Sequence, residues 1–91
     1  MSGGERVYVG SKPILAYVTA VVTSLSKSDN IKVMARGRAI SSAVDVVEVT
    51  KRSFLTDIVI DGIDIGTERL GEVGAERNVS TISIQLSKPK L

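Results

Sequence analysis

Two stretches of this chain repeat apolar residues at helical spacing, and each follows a short run that alternates apolar with polar residues. In the first, Ile14, Leu15, Val18, Val21, Val22 and Leu25 recur every three or four positions until S-K-S-D-N ends the pattern. The run before it is R-V-Y-V, residues 6–9, with Val7 and Val9 on one side. In the second, predicted over about residues 39–52, Ile40, Ala43, Val44 and Val47 form the stripe. Its preceding run, I-K-V-M-A-R at 31–36, turns Ile31, Val33 and Ala35 one way and Lys32, Met34 and Arg36 the other, and Gly37 marks the turn. Val46 and Val49 fall outside the second stripe, which predicts a second partner surface on that helix. A chain whose period switches twice from 2 to 3.6 builds strand–helix–strand–helix.

The junction G-S-K-P, residues 10–13, reads as a helix start, with Ser11 as N-cap and Pro13 in the first turn, where its missing N–H costs nothing. Further on, I-V-I-D-G-I-D-I at 58–65 reads either as a hairpin turning at Asp61-Gly62 or as one long strand bulged at Gly62. The long strand is preferred because each half alone is short. Its inward residues are then Ile58 and Ile60 before the bulge, Ile63 and Ile65 after it. Residues 66–78, with three glycines and balanced charge, read as a flexible hairpin tip. The closing V-S-T-I-S-I-Q-L is a strand with Ile82, Ile84 and Leu86 inward. The order β-α-β-α-β-β implies an α+β fold: a mixed four-stranded sheet with two helices packed on one face, in one domain over 1–91, residues 1–5 being disordered.

Composition narrows the chemistry. With 91 residues, one Phe and no Trp, the core must be built of Val, Ile, Leu and Ala. No Cys and no His removes disulfides, thiolate metal sites and the commonest general base, which weighs against an enzyme, a metal centre or a cofactor. Few amides and no cysteine would suit high temperature. No apolar run is long enough to span a membrane, and the N-terminus lacks a signal-like core, so an intracellular soluble protein is expected. The net charge of +2 would serve nucleic acid only if the cations were gathered on one face.

Arg36-Gly37-Arg38 reads either as two solvated arginines at a turn or as a phosphate fork, since guanidinium groups hold phosphate oxygens bidentately and glycine permits close backbone approach. Lys12, before a helix N-terminus, reads either as a solvent lysine or as part of an anion site. The segment lacks the P-loop spacing. If the first two strands end at the same sheet edge, Lys12, Arg36 and Arg38 converge. Arg69 and Arg77 in the tip are nearly cancelled by Glu68, Glu72 and Glu76. Asp45 with Glu48, and Asp61 with Asp64, read as solvated edges rather than acid–base or metal pairs. Tyr8 and Tyr17 are too few for a base-stacking platform.

K-P-I-L-A-Y-V after a short strand, then I-K-V-M-A-R-G-R-A-I-S-S-A-V-D-V-V-E-V, F-L and V-S-T-I-S-I together resemble the Alba family of archaeal chromatin proteins, over about residues 6–87. The A-R-G-R-A-I-S-x-A-V-D core is the most specific part. The resemblance implies a cytoplasmic, chromosome-associated dimer that coats and compacts double-stranded DNA without sequence preference and also binds RNA. It implies nucleic-acid contacts at Ser11, Lys12, Arg36 and Arg38, and at Arg69 and Arg77 on an arm of about 66–78. It further implies dimer–dimer contacts through Phe54, which would account for Val46 and Val49. Many members have two lysines before the proline, the first acetylated. Here Ser11 holds that position, leaving Lys12 as the residue open to acetylation. Met34 and the arm glutamates depart from the family pattern toward weaker, more salt-sensitive binding, or pairing with a paralogue. An RNA-binding subunit of a ribonucleoprotein, and a protein–protein assembly module, are the alternatives.

Overall fold

The computed structural model describes residues 5–89. The elements are β1 (Glu5–Tyr8), α1 (Ile14–Lys27), β2 (Asn30–Arg36), α2 (Ala39–Ser53), β3 (Val59–Leu70) and β4 (Arg77–Ser87). They form one sheet in the order β1-β2-β4-β3. β1 runs parallel to β2, while β4 lies antiparallel to both β2 and β3. This is the predicted α+β order and mixed sheet. Of the residues expected to be disordered, 1–4 lie outside the described residues. Glu5 is instead paired opposite Ile31, because the parallel ladder extends two residues before Val7, the first alternating valine.

One face of the sheet turns Val7, Ile31, Val33, Ala35, Ile84 and Leu86 toward the helices. Against them pack Val18, Val21 and Leu25 of α1 and Ala43, Val46 and Val47 of α2. The register puts Arg6, Tyr8, Lys32, Met34, Arg36, Thr81 and Ser83 on the opposite, open face.

Several sequence expectations need correction. Ser11 is not the N-cap of α1: Pro13 holds that position with φ −59° and ψ 148°, and no side chain caps the helix. Proline biases the residue before it toward extended backbone, so the helix cannot reach back to Ser11. The Lys12 N–H instead donates to the Tyr17 hydroxyl at 3.0 Å. Leu15 is exposed, leaving Tyr17 to fill the buried position.

On α2 the buried row is Ala43, Val46, Val47 and Thr50. Val46 is therefore not a dimer–dimer contact; it is 0% exposed in the core. The helix packs against α1 as well as the sheet, which widens its buried arc beyond one stripe and rotates Val44 out to solvent. Val49 is half-buried against the same core. Thr50 is satisfied within it by donating to the Val46 carbonyl at 2.8 Å.

The long, bulged strand is present as β3, with the register shift between Ile60 and Gly62. Ile60, Ile63 and Ile65 lie opposite Leu86, Ile84 and Ile82 and so share the helix-side face, as the parity switch requires. They are nevertheless not inward: Ile63 is 56% and Ile65 81% exposed. β3 is the edge strand farther from the helices, which pack mainly over β1 and β2, so of the isoleucines expected inward only Ile58, just before β3, is buried. The segment 66–78 is not all loop. Cross-strand pairing continues to Leu70 and Arg77, which confines the turn to residues 71–76.

Candidate functional site

Parallel pairing of β1 with β2 sends both strands out of the sheet at the same end. The ladder closes there with the Val9 N–H donating to the Met34 carbonyl at 2.8 Å. The loop carrying Ser11 and Lys12 and the turn carrying Arg36, Gly37 and Arg38 therefore emerge side by side, and Gly10 and Arg36 line one groove. Gly37 has φ +60°, a conformation that resists side chains. Its N–H is committed to the Ser80 carbonyl at 2.8 Å, so the role of this glycine is to shape the turn.

Each helix begins at this end. Arg38 is the N-cap residue of α2, Pro13 that of α1, and neither helix has an acidic residue in its first turn or a capping side chain. Unpaired N–H groups and the positive end of the helix dipole thus meet Lys12, Arg36 and Arg38. Helix starts ordinarily attract Asp or Glu. Here the sequence gathers positive charge at two adjacent starts, an arrangement that repels itself until an anion arrives.

Among the described residues, Lys12 and Arg38 are exposed and form no ion pair. Arg36 differs: its Nη1 donates to Glu68 Oε1 at 2.9 Å, with both side chains more than half exposed. Glu68 is a residue that sequence reasoning missed as a partner. It lies 32 positions from Arg36 and reaches it only because the bulge sets β3 so that Glu68 shares the open face. Counting parity from the bulge is the one signal that could have found it.

The hairpin cations are set apart from this cluster. Arg69 lies 3.8 Å from Glu76, and Arg77 begins β4 opposite Leu70. Ser11 is exposed on the β1–α1 loop. Asp61 is the extra residue of the bulge, and Asp64 accepts a hydrogen bond from Gln85 Nε2 at 3.0 Å. Phe54 sits at the C-terminus of α2 and is 54% exposed, well separated along that helix from Arg38.

The Alba family model matches residues 5–67. The chain is similar to the "DNA/RNA-binding protein Alba" of Methanothrix thermoacetophila, with 49% identity over 89 residues, 97% of this chain and 100% of that one. It is also similar to the "DNA/RNA-binding protein Alba 1" of Archaeoglobus fulgidus, with 45% identity over 92% of this chain and 96% of that one. Among solved structures it resembles Alba from Thermoplasma volcanium, with a TM-score of 0.86 and 42% identity over 91% of this chain and 99% of that one.

Proposed function

This chain belongs to the Alba family, and from that premise we propose that it is a sequence-independent double-stranded DNA-binding architectural protein that also binds RNA. It acts as a dimer that coats and compacts DNA and is associated with the chromosome in the cytoplasm. The observation that carries this reading is the meeting of two acid-free helix starts with Lys12, Arg36 and Arg38 at one end of the sheet. The relatives' names support nucleic acid as the anion.

In this reading Arg36 and Arg38 fork onto phosphate oxygens while Lys12 contributes a mobile point charge, open to acetylation, beside Ser11. Arg36 exchanges the Glu68 carboxylate for phosphate as it binds. Phosphate contacts fix position and carry no sequence information, which accounts for uniform coating. Arg69 and Arg77 add weaker contacts through the hairpin. The uncovered row of Ile60, Ile63 and Ile65 supports self-association: Ile40 of α2 shares a groove with Ile65 and Ile82, so a second copy can cover both elements. Pairing with a paralogue would use the same row. Phe54, exposed at the far end of α2, serves contacts between dimers, with half-buried Val49 on the same helix.

Three cations per protomer double in a dimer, and if four or five reach phosphate, log K falls against log salt with a slope of about −4. The test is fluorescence anisotropy of a labelled random-sequence duplex at several salt concentrations, with Arg36→Ala, Arg38→Ala beside the wild type. The double variant is expected to lose about 100-fold in affinity and most of the slope. A flat salt response of the wild type, or no duplex binding at low salt, would overturn the reading.

A further inference from the structure

The open face of the sheet carries a second set of cations, and they flank an aromatic ring. In the parallel register Arg6 stands directly opposite Lys32, and one row further along Tyr8 stands opposite Met34. The next residue of this face on β2 is Arg36. Rows two residues apart are separated by about 7 Å. Like charges directly opposite on neighbouring strands are unfavourable, and neither Arg6 nor Lys32 has an ion pair among the described residues. Tyr8 is 65% exposed beside them.

Tyr8 and Met34 also line the groove at the sheet end, a space of about 710 Å³ shared with Gly10, Tyr17, Arg36 and Thr81. That volume lies in the range of roughly 300–1,000 Å³ found for small-molecule sites. The two tyrosines have separate fates. Tyr17 is buried, its hydroxyl accepting from the Lys12 N–H. Of the two, Tyr8 presents its ring to solvent, too little to read a run of bases but enough to stack one.

We propose that the groove at Tyr8 and Met34 takes a single unpaired nucleobase, with Arg36 on one side and Arg6 and Lys32 on the other holding the flanking phosphates. The inference rests on the nucleic-acid reading above and adds a substrate class to it: single-stranded or bulged RNA or DNA. A base inside a duplex is paired and stacked and cannot lie flat on Tyr8, whereas an unpaired base can, with the polarizable Met34 thioether adapting to its edge. The body cations serve either ligand. Tyr8, Arg6 and Lys32 serve only the one with a free base.

The experiment uses the full chain with two probes, a single-stranded ribo-oligomer of about ten nucleotides and a blunt DNA duplex. Because the chain has no Trp, intrinsic fluorescence comes from Tyr8 and Tyr17, and Tyr8→Phe isolates the share of Tyr17, which lines the same groove. The single strand is expected to quench it and the duplex to leave it unchanged. Tyr8→Ala should lower single-strand affinity about tenfold with duplex affinity kept, while Tyr8→Phe keeps both affinities and loses the quenching. Lys32→Ala, which leaves the ring in place, should weaken the single strand severalfold and the duplex little. Single-strand affinity unchanged in Tyr8→Ala, or equal losses on both probes, would overturn the inference. If duplex binding still depends on Arg36 and Arg38 in that event, the general reading survives it. Wild-type protein that binds neither probe would remove both.

Discussion

Where β1 and β2 lie beneath the helices, their apolar side chains are buried and the cations beside them, Lys12, Lys32 and Arg38, have no acidic partner among the described residues. On the β3 edge the pattern is reversed. Ile63 and Ile65 face the same side of the sheet as the core yet remain in solvent, and two of the hairpin's carboxylates lie on arginines, Glu68 on Arg36 and Glu76 on Arg69. The covered half is a finished core with unsatisfied charge. The edge half is unfinished apolar surface with part of its charge paired internally. The contrast teaches that the same residue types sit in different surroundings according to whether a helix covers them; in the proposed reading the first half holds an anion and the second meets another copy of the chain.

The largest effect should come from the edge. Ile63→Asp with Ile65→Asp places two carboxylates in the proposed dimer seam, and sedimentation should then show a monomer. Its duplex affinity should fall by at least tenfold and its salt slope from about −4 to about −2, since half the phosphate contacts are gone. A dimer that survives both changes would move the seam elsewhere. In the covered half, Val46→Ala removes two methyl groups from a site without room to collapse. A loss of about 2–3 kcal/mol is expected by chemical denaturation, with the assembly state unchanged, whereas Phe54→Ala should leave stability nearly untouched.

Smaller effects probe where the halves meet. Glu68→Gln frees Arg36 from its intramolecular carboxylate and should raise duplex affinity about threefold, in keeping with the worth of an exposed ion pair. A decrease would mean that Glu68 positions Arg36 for phosphate rather than competing with it. Arg69→Ala should change affinity by less than about twofold, because that guanidinium is already neighboured by Glu76 and lies off the main cluster. A loss as large as that of the Arg36, Arg38 pair would make the hairpin an equal partner.

Much of this molecule is legible in its residues. The two changes of hydrophobic period place the first four elements in order, the bulge at Asp61-Gly62 follows from the jump in isoleucine parity, and the closing alternation gives β4. The A-R-G-R motif carries both the turn and the strongest family resemblance. These signals are local, written within a few residues of the feature they specify. The helix starts two residues later than the cap-like Ser11 suggests, because the conformational limits of Pro13 act over the same few positions and prevail. Val46 misled for a different reason. A single stripe describes a helix with one neighbour, and α2 has two.

Alternation along β1, β2 and β4 therefore determined by itself which residues face the helices, and the strand-end positions of Lys12, Arg36 and Arg38 came with it. Tertiary structure decided the rest. It set how far the helices reach across the sheet, and so left Ile63 and Ile65 uncovered although their pattern is that of core residues. It also closed Arg36 on Glu68 and buried Tyr17 in place of Leu15. The physical reason is range: periodicity and turn chemistry act between neighbours in the chain, whereas coverage and charge pairing depend on which distant segments the sheet register brings side by side.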